Sequence, residues 1–483
     1  MAAAPGALFP CPSKEELAKA FIGKRLGDVP TPAAVLDRAV VERNCRQMLE
    51  ACQALDVDFR PHVKTHKTTE VTLLQLGDAS NGIKLIVSTI AEAEHLSDHL
   101  HDAHKNGKPV NVLYGVPLPP SQIQRLIELR NKIGPYGISV LVDHPSQLEI
   151  APAFKRATGG PLQLFVKIDT GYHRAGLDFT TKAFGNLMHR IYSLEETGTV
   201  TLVGFYSHAG HSYGGSSESD AIALLIEEIQ GLKKAVAQAI VYRQRYEHSQ
   251  TRSVGHSQPR YVLSVGATPT ATSLQNFLSL SPQSSPTDTE QLLRRAEALI
   301  ESVKALGLTL ELHAGVYPFL DMQQLATKAS PSAAVKDSAS QEPTITTVDI
   351  ALTVMTEVAS LYGDRESPEA LIAAGSLALG REPCKSYSGW GIVSAWGMPS
   401  TSNAEGRSGW QVGRISQEHG ILTKDTNASV EPMELMIGQK VRIWPNHACV
   451  AGAGFGWYLI VDSSLPDDRQ DEIVDVFVRW RGW

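Results

Sequence analysis

The sequence predicts an α/β protein: a (β/α)8 barrel followed by a second, mainly antiparallel β domain. Three observations carry this expectation. Eight short β-rich runs alternate with helical stretches between about residues 58 and 315. Several of the runs are nearly continuous in Val, Ile and Leu, as in parallel strands covered on both faces. From about residue 346 onward the helical spacing gives way to short alternating strands with Gly- and Trp-rich turns, the mark of an antiparallel sheet.

In chain order the runs are 58–64, 85–90, 110–116, 138–143, 162–169, 202–208, 261–267 and 310–315. Amphipathic segments such as 91–103 and 120–132 fill the gaps, with apolar residues recurring at helical spacing. Eight strand–helix units are the number that closes a barrel. The chain divides on this reading into residues 1–30, an N-terminal segment with one helical pattern at 14–22 that packs on the β domain; 31–325, the barrel; 326–345, a low-complexity insertion; and 346–483, the β domain, with strands at 440–444 and 457–461. Residues 279–289 and 326–343 are rich in Ser, Pro, Thr or Ala and read as exposed loops without fixed structure.

Composition narrows the function classes. At 42% hydrophobic and 20% charged residues the 483-residue chain has the apolar material of a soluble protein with a large core. A formal net charge of −7 and the lack of any Lys/Arg stripe argue against nucleic acid as the main partner. No stretch reaches the roughly 18 apolar residues of a membrane helix, and the first fourteen residues lack the basic start and apolar block of a secretion signal. The five cysteines, Cys11, Cys45, Cys52, Cys384 and Cys449, are scattered with no CxxC pair. That pattern fits a reducing compartment, and a cytoplasmic location is the expectation.

The most informative stretch is Arg60-Pro61-His62-Val63-Lys64-Thr65-His66-Lys67-Thr68. It sets cationic and imidazole groups at the C-terminal end of the first barrel strand, the end of such barrels that carries chemistry. A lysine flanked there by positive charge sheds its proton more readily and can attack an aldehyde; the same residues could equally bind phosphate or decorate a loop. The run resembles the cofactor-lysine segment of eukaryotic D-serine dehydratases and of D-threonine aldolases, enzymes of the alanine racemase-like class, and the resemblance extends along most of the chain. It implies pyridoxal 5′-phosphate as cofactor, Lys64 as the residue that carries it, and His62 beside it.

Later strand ends supply further candidates. The loop Asp169-Thr170-Gly171-Tyr172-His173-Arg174-Ala175-Gly176 offers a ring and a guanidinium, and the resemblance places Tyr172 and Arg174 around the cofactor ring. Tyr206-Ser207-His208-Ala209-Gly210-His211 closes the sixth run; by resemblance Tyr206 and His208 point toward the cofactor, while His211 could orient a neighbour. Ser264-Val265-Gly266-Ala267-Thr268 is a small-residue turn whose N–H groups, with the Thr268 hydroxyl, could face a phosphate where barrels often bind one. Within Glu311-Leu312-His313-Ala314-Gly315-Val316-Tyr317, Tyr317 is the candidate wall or phosphate ligand and His313 reads as a core histidine.

Trp444-Pro445-Asn446-His447-Ala448-Cys449 lies in the β domain. Residues i and i+2 of an extended segment share a face, so His447 and Cys449 can converge. Imidazole and thiolate suit zinc, although two protein ligands are fewer than the usual three and on spacing alone such a pair is more often coincidence. The resemblance changes the weighting: D-serine dehydratases of this class carry a His-X-Cys zinc pair here and D-threonine aldolases a His-X-Asp pair. Cys449 therefore favours the dehydratase. The resemblance implies zinc-assisted β-elimination of D-serine to pyruvate and ammonia, with Lys64 as general base, D-threonine as a further candidate substrate and a homodimer as the assembly. The alternatives are a D-threonine aldolase, an amino-acid racemase, or a non-catalytic carrier of the cofactor.

Overall fold

The computed structural model describes residues 9–80, 82–249, 260–279, 287–332, 344–398 and 406–482. They form two compact units, one built chiefly from Met48–Lys64 and Leu76–Gly315, the other from Met1–Gln47, Thr65–Gln75 and Val316–Arg481. The strands in chain order are β1 (Ala33–Asp37), β2 (Asp58–Phe59), β3 (Ile83–Val87), β4 (Val110–Pro117), β5 (Ile138–Val142), β6 (Leu162–Lys167), β7 (Val200–Tyr206), β8 (Val262–Val265), β9 (Thr309–Leu312), β10 (Leu352–Tyr362), β11 (Glu369–Ile372), β12 (Gly391–Ser394), β13 (Arg407–Ile415), β14 (Gly420–Lys424), β15 (Lys440–Pro445), β16 (Trp457–Val461) and β17 (Asp475–Val478).

β2 to β9 make an eight-stranded parallel sheet in the order β2-β9-β8-β7-β6-β5-β4-β3. A parallel bridge from His62 to Ile86 joins its two ends, so the sheet closes into the expected (β/α)8 barrel. β2 is only two residues long because Pro61 has no N–H to continue the ladder; its carbonyl still accepts from Ile86 N at 2.9 Å. Lys64 consequently stands on the turn after the strand rather than within it. The third strand begins at Ile83 and its helix at Ile90, because Thr89 caps that helix by accepting from Glu92 N.

The lumen holds an apolar layer of Ile86, Leu113, Leu141, Phe165 and Tyr206. Below it, toward the strand N-termini, sits a polar layer. Arg60 Nε donates to Glu311 at 2.8 Å, and Arg60 Nη1 reaches Asn111 Oδ1 at 2.8 Å. Asn111 in turn donates to Ser139 and Gln163. Arg60 and Glu311 are 3% and 0% exposed.

In the other unit six antiparallel strands run in the order β11-β14-β13-β12-β15-β10, and pairing of β11 with β10 closes them on themselves. Val354, Val358, Ile372, Val393, Val412 and Val441 fill this second core. β1 pairs antiparallel with β10 and parallel with β16, and β17 completes the sheet. The run Ala33–Asp37 is almost wholly buried, yet a five-residue apolar run announces burial without saying which sheet receives it. The helix Lys14–Phe21 lays Leu17 and Phe21 on the cluster around Val35, Leu459 and Val476.

Two segments expected to be loops are more ordered than their composition suggests. Thr287 and Glu290 form a capping box that starts the helix Asp288–Ala305, so the loop reading fails for its last residues. Ala326 and Thr327 end the helix Met322–Thr327, and Ala329, Ser330 and Ser332 are buried. Small residues carry no local signal of exposure once neighbouring chain covers them. Residues 280–286 and 333–343 lie outside the described residues.

Candidate active site and candidate metal centre

Five successive barrel strands, β2, β9, β8, β7 and β6, bring their C-terminal ends side by side. Each carries one of the sequence candidates. After β2, His62 Nδ1 accepts from Lys64 N at 3.3 Å, which leaves the proton on Nε2, 3.2 Å from Ser88 Oγ. The Lys64 stem passes over Gly315: a Cβ there would lie 3.4 Å from Lys64 Cε and 3.4 Å from His62 Cβ.

After β9, His313 is 2% exposed. Its Nδ1 lies 3.1 Å from Ser264 Oγ, its ring stacks on Tyr206 at 4.3 Å, and its Nε2 is buried without a partner. After β8, Gly266 adopts φ +141°, and a Cβ would meet the His313 carbonyl oxygen at 2.2 Å. No other residue allows these two strand ends to approach so closely. Thr268 follows, buried, at the start of a short helix.

After β7, His208 Nδ1 is 2.8 Å from the Gly266 carbonyl oxygen. A carbonyl only accepts, so Nδ1 carries the proton and Nε2 presents a bare lone pair. Burial holds this imidazole well below its ordinary range, and the charges of Lys64, Arg174 and Lys167 push the same way. After β6, Asp169 ties its loop by accepting from the N–H groups of Gly171 and His173. Tyr172 and Arg174 are exposed, with the guanidinium over the Tyr172 ring at 5.1 Å and Tyr172 edge-on to His208 at 6.3 Å. His62, Lys64, Tyr172, Arg174, Tyr206, His208, Gly266 and Thr268 thus share one end of the barrel.

Tyr317 follows Gly315 by two residues. It belongs to the β unit, is 1% exposed, and its hydroxyl faces the thiol of Cys45, which burial pushes far up.

Two buried ionisable groups escaped the sequence reading. Lys167 is 4% exposed, with Nζ 4.7 Å above the Tyr206 ring. Burial and Arg174 bring its ammonium down to about 8, against the pull of Glu228, Asp143 and Asp169. Glu228, 1% exposed on the helix Glu218–Ser249, is pushed up to about 7 by burial, although the N–H groups of Gly266 and Ala209, the Ser207 hydroxyl and Lys167 favour its ionised form.

In the β unit, β15 ends at Pro445 and Asn446 is locked by donating to the carbonyls of Glu382 and Gly389. His447 is extended (φ −137°, ψ 106°) and is the N-cap of the helix Ala448–Ala453. The two candidate ligands therefore converge at a cap and a first helical turn, not along a strand as the i, i+2 argument assumed. Burial opposes the charged His447 imidazole, but its hydrogen bond to Cys449 and the negative charge of Cys449, Asp321 and Glu382 push it up to about 9.

Two supports went unseen in the sequence. Asp321, 0% exposed, accepts from Ala448 N at 2.8 Å and so holds the turn between the pair. Thr65 Oγ1 lies 3.1 Å from Cys449 Sγ, and Thr65 is the residue after Lys64. Among the described residues no group of three His, Cys, Asp or Glu side chains is placed to hold a metal ion. The donor chemistry of a thiolate and an imidazole fits zinc, with further positions left to substrate and water.

Comparison with known proteins agrees with this geometry. The family model for the alanine racemase N-terminal domain matches residues 36–258, and the serine dehydratase domain model matches residues 351–461. The chain is 36% identical to the D-serine dehydratase of Schizosaccharomyces pombe over 98% of this chain and 96% of that one. It is 31% identical to the D-serine dehydratase of Saccharomyces cerevisiae over 96% and 98%. Among solved structures, D-threo-3-hydroxyaspartate dehydratase from Delftia sp. HT23 superposes with a TM-score of 0.67 at 27% identity, over 95% of this chain and 100% of that one. Two variants of that dehydratase carry alanine in place of a histidine and of a cysteine two residues further on, the cysteine variant in a metal-free form. With both family models and near-complete coverage by these relatives, the chain belongs to the D-serine dehydratase family, alanine racemase-like lyases for which pyridoxal phosphate is the implied cofactor and D-serine dehydration the activity.

Proposed function

We propose that the chain performs this dehydration with Lys64 as the acid–base group and a zinc ion held by His447 and Cys449. The observation that carries the proposal is Thr65: its hydroxyl lies 3.1 Å from the Cys449 thiol, and its backbone is bonded to Lys64. The metal pair and the cofactor lysine are thereby tied to one stretch of chain.

The barrel end fits the implied cofactor on its own observations. It offers an amine at Lys64, a buried His313 Nε2 without a partner, a bare lone pair on His208 Nε2, and Thr268 at the start of a short helix for a phosphate. Tyr172 and Arg174 stand exposed beside it as a ring wall and an anion partner. Pyridoxal phosphate, when bound, withdraws electrons from the substrate Cα. The released Lys64 amine is the base that takes the Cα proton. His62, fixed by Ser88 and the Lys64 backbone, holds that segment in place. His208, kept neutral, accepts a hydrogen bond without adding charge. A zinc ion, when bound at His447 and Cys449, supplies Lewis acidity to the departing β-hydroxyl. Asp321 keeps the two ligands in register through Ala448. The aminoacrylate product reacts with water to give pyruvate and ammonia.

The deciding assay offers D-serine, D-threonine and their L-forms to the purified enzyme, with and without a chelator. Pyruvate from D-serine alone among the serines, lost with chelator and restored by zinc, is the expected result. Glycine with an aldehyde would replace the proposal with an aldolase, racemisation without ammonia with a racemase, and complete inactivity with a carrier. A homodimer is proposed as the working assembly and is tested by sedimentation of the holoenzyme. None of the described helices is long and apolar enough to cross a membrane. The cysteines among the described residues form no disulfide; a cytoplasmic location is proposed.

A further inference from the structure

Glu228 is unlike its surroundings. The helix Glu218–Ser249 buries Ala221, Leu225, Ile229, Leu232 and Ala235 against the barrel, and this carboxylate sits in the same stripe. A buried charge is retained only where something holds it. Neither oxygen completes a well-formed hydrogen bond, yet the groups that face it are specific: the N–H groups of Gly266 and Ala209 and the Ser207 hydroxyl, with Lys167 as countercharge. These donors come from the ends of two neighbouring strands, β7 and β8. Ser207 and Ala209 flank His208, and the carbonyl of Gly266 is the acceptor that fixes His208 Nδ1. Glu228 thus faces the N–H of the residue whose carbonyl sets the His208 tautomer, and both segments on either side of that histidine. Ser207 is pinned from the opposite direction by Thr170 Oγ1 at 2.6 Å.

We propose that Glu228 is a positioning residue for the cofactor end of the barrel, drawing the Ser207–Ala209 and Gly266 segments onto one buried carboxylate so that His208 and the Gly266–Thr268 turn keep a single geometry. It touches neither substrate nor cofactor and acts through these two loops. An apolar residue in its place would fill the stripe but leave the Gly266 and Ala209 N–H groups without this acceptor, and Ser207 and Lys167 with only their other partners, Thr170 for the one and Asp143 and Asp169 for the other. The inference rests on pyridoxal phosphate binding at this barrel end.

The test uses wild-type holoenzyme, Glu228→Gln and Ser207→Ala. Four quantities are measured: the dissociation constant of pyridoxal phosphate, the absorption maximum of the bound cofactor, kcat and KM with D-serine, and the thermal midpoint. Glutamine keeps the shape but turns an amide donor toward N–H donors. A displacement of the two loops predicts a dissociation constant raised about tenfold, kcat lowered about tenfold with KM within about twofold, and a shifted absorption maximum. Ser207→Ala, which removes one donor, is expected to act in the same direction at about threefold. A purely structural role would lower the thermal midpoint and leave the absorption maximum and kcat of the folded enzyme in place, and that result overturns the proposal. Should Glu228→Gln fail to fold, Ser207→Ala decides, and wild-type spectra and affinity in it overturn the proposal equally. Wild-type protein that takes up no pyridoxal phosphate would instead overturn the cofactor reading on which the inference stands.

Discussion

The barrel lumen contains two polar layers built from similar residue types, and they differ in how completely they are satisfied. In the lower layer Arg60 bonds Glu311 and Asn111, and Asn111 bonds Ser139 and Gln163. The second Glu311 oxygen also lacks a well-formed hydrogen bond, although it faces Lys84 at 3.7 Å and the Ser264 hydroxyl. In the upper layer His313 Nε2 and both oxygens of Glu228 lack a well-formed partner, and His208 Nε2 holds a bare lone pair. A nearly closed network stabilises a fold, whereas a more open one in equally dry surroundings carries a desolvation cost that a ligand can relieve. The contrast assigns the lower layer to stability and the upper layer to chemistry, and it can be broken by substitutions that move the wrong property.

The largest effect is expected at Lys64. Lys64→Ala removes both the proposed cofactor anchor and the proposed base and should lower kcat by about 10⁴-fold or more. The thermal midpoint of the cofactor-free protein should stay nearly unchanged, because a half-exposed lysine on a turn contributes little packing. Steady-state pyruvate release and calorimetry check the two halves, and more than about one percent residual turnover would contradict the assigned role.

The lower layer should behave in the opposite way. Glu311→Gln leaves the buried Arg60 guanidinium without its counterion, a loss of about 3–5 kcal/mol for a pair this well covered. Denaturant unfolding of the cofactor-free protein should show it directly. The surviving folded fraction should keep a near wild-type KM, since this layer meets the strand C-termini only through the Ser264 hydroxyl, which lies 3.1 Å from His313 Nδ1. A variant of wild-type stability would mean that water reaches the pair and that the two layers are not distinct.

This division explains what could be read from the sequence. Barrel strands announce themselves through runs such as Leu162–Lys167 and Val200–Tyr206, because burial on both faces demands unbroken apolar residues. The candidates Lys64, His208 and His447–Cys449 were visible as residue types at or just beyond strand ends. Their geometry was not, since the capping of a helix by His447 depends on Asp321, 126 positions earlier, and on tertiary contact. Glu228 did leave a trace. Ala221, Leu225, Glu228, Leu232, Ala235 and Ala239 fall on one helical stripe, but a glutamate at one such position is easily taken for a solvated face. β1 shows the limit: burial is written locally, whereas the partner that provides it, here β10 and β16, is not.

The upper layer should also reveal itself through pH. The Glu228 carboxyl rises from an ordinary 4.5 to about 7, chiefly through burial, while facing Lys167, Ser207, Ala209, Gly266 and the Tyr206 ring. A raised carboxyl contributes stability that is fully present below about 4.5 and lost as the pH climbs through about 7. By linkage the loss is about 3 kcal/mol. Unfolding of the cofactor-free protein between pH 4.5 and 7.5 should show stability falling across this window beyond what exposed groups give, and Glu228→Gln should flatten the fall. An unchanged profile in that variant would place the titrating group elsewhere.

The smallest effect is expected at Thr65, where the comparison moves to the β unit. Thr65 is fully buried, and Val has nearly its shape, so Thr65→Val removes one hydroxyl and leaves packing intact. If that hydroxyl donates to a metal-bound Cys449 thiolate, it offsets negative charge on sulfur and orients the ligand, and its loss should weaken zinc binding by roughly tenfold. Competition with a chromophoric chelator measures this without any turnover. Replacing zinc by cobalt adds a second view, because the thiolate-to-metal absorption moves when the hydrogen bond to sulfur is lost. Unchanged affinity and an unchanged cobalt spectrum would mean that the 3.1 Å contact is packing, and that the lysine segment and the metal pair are joined by the backbone alone.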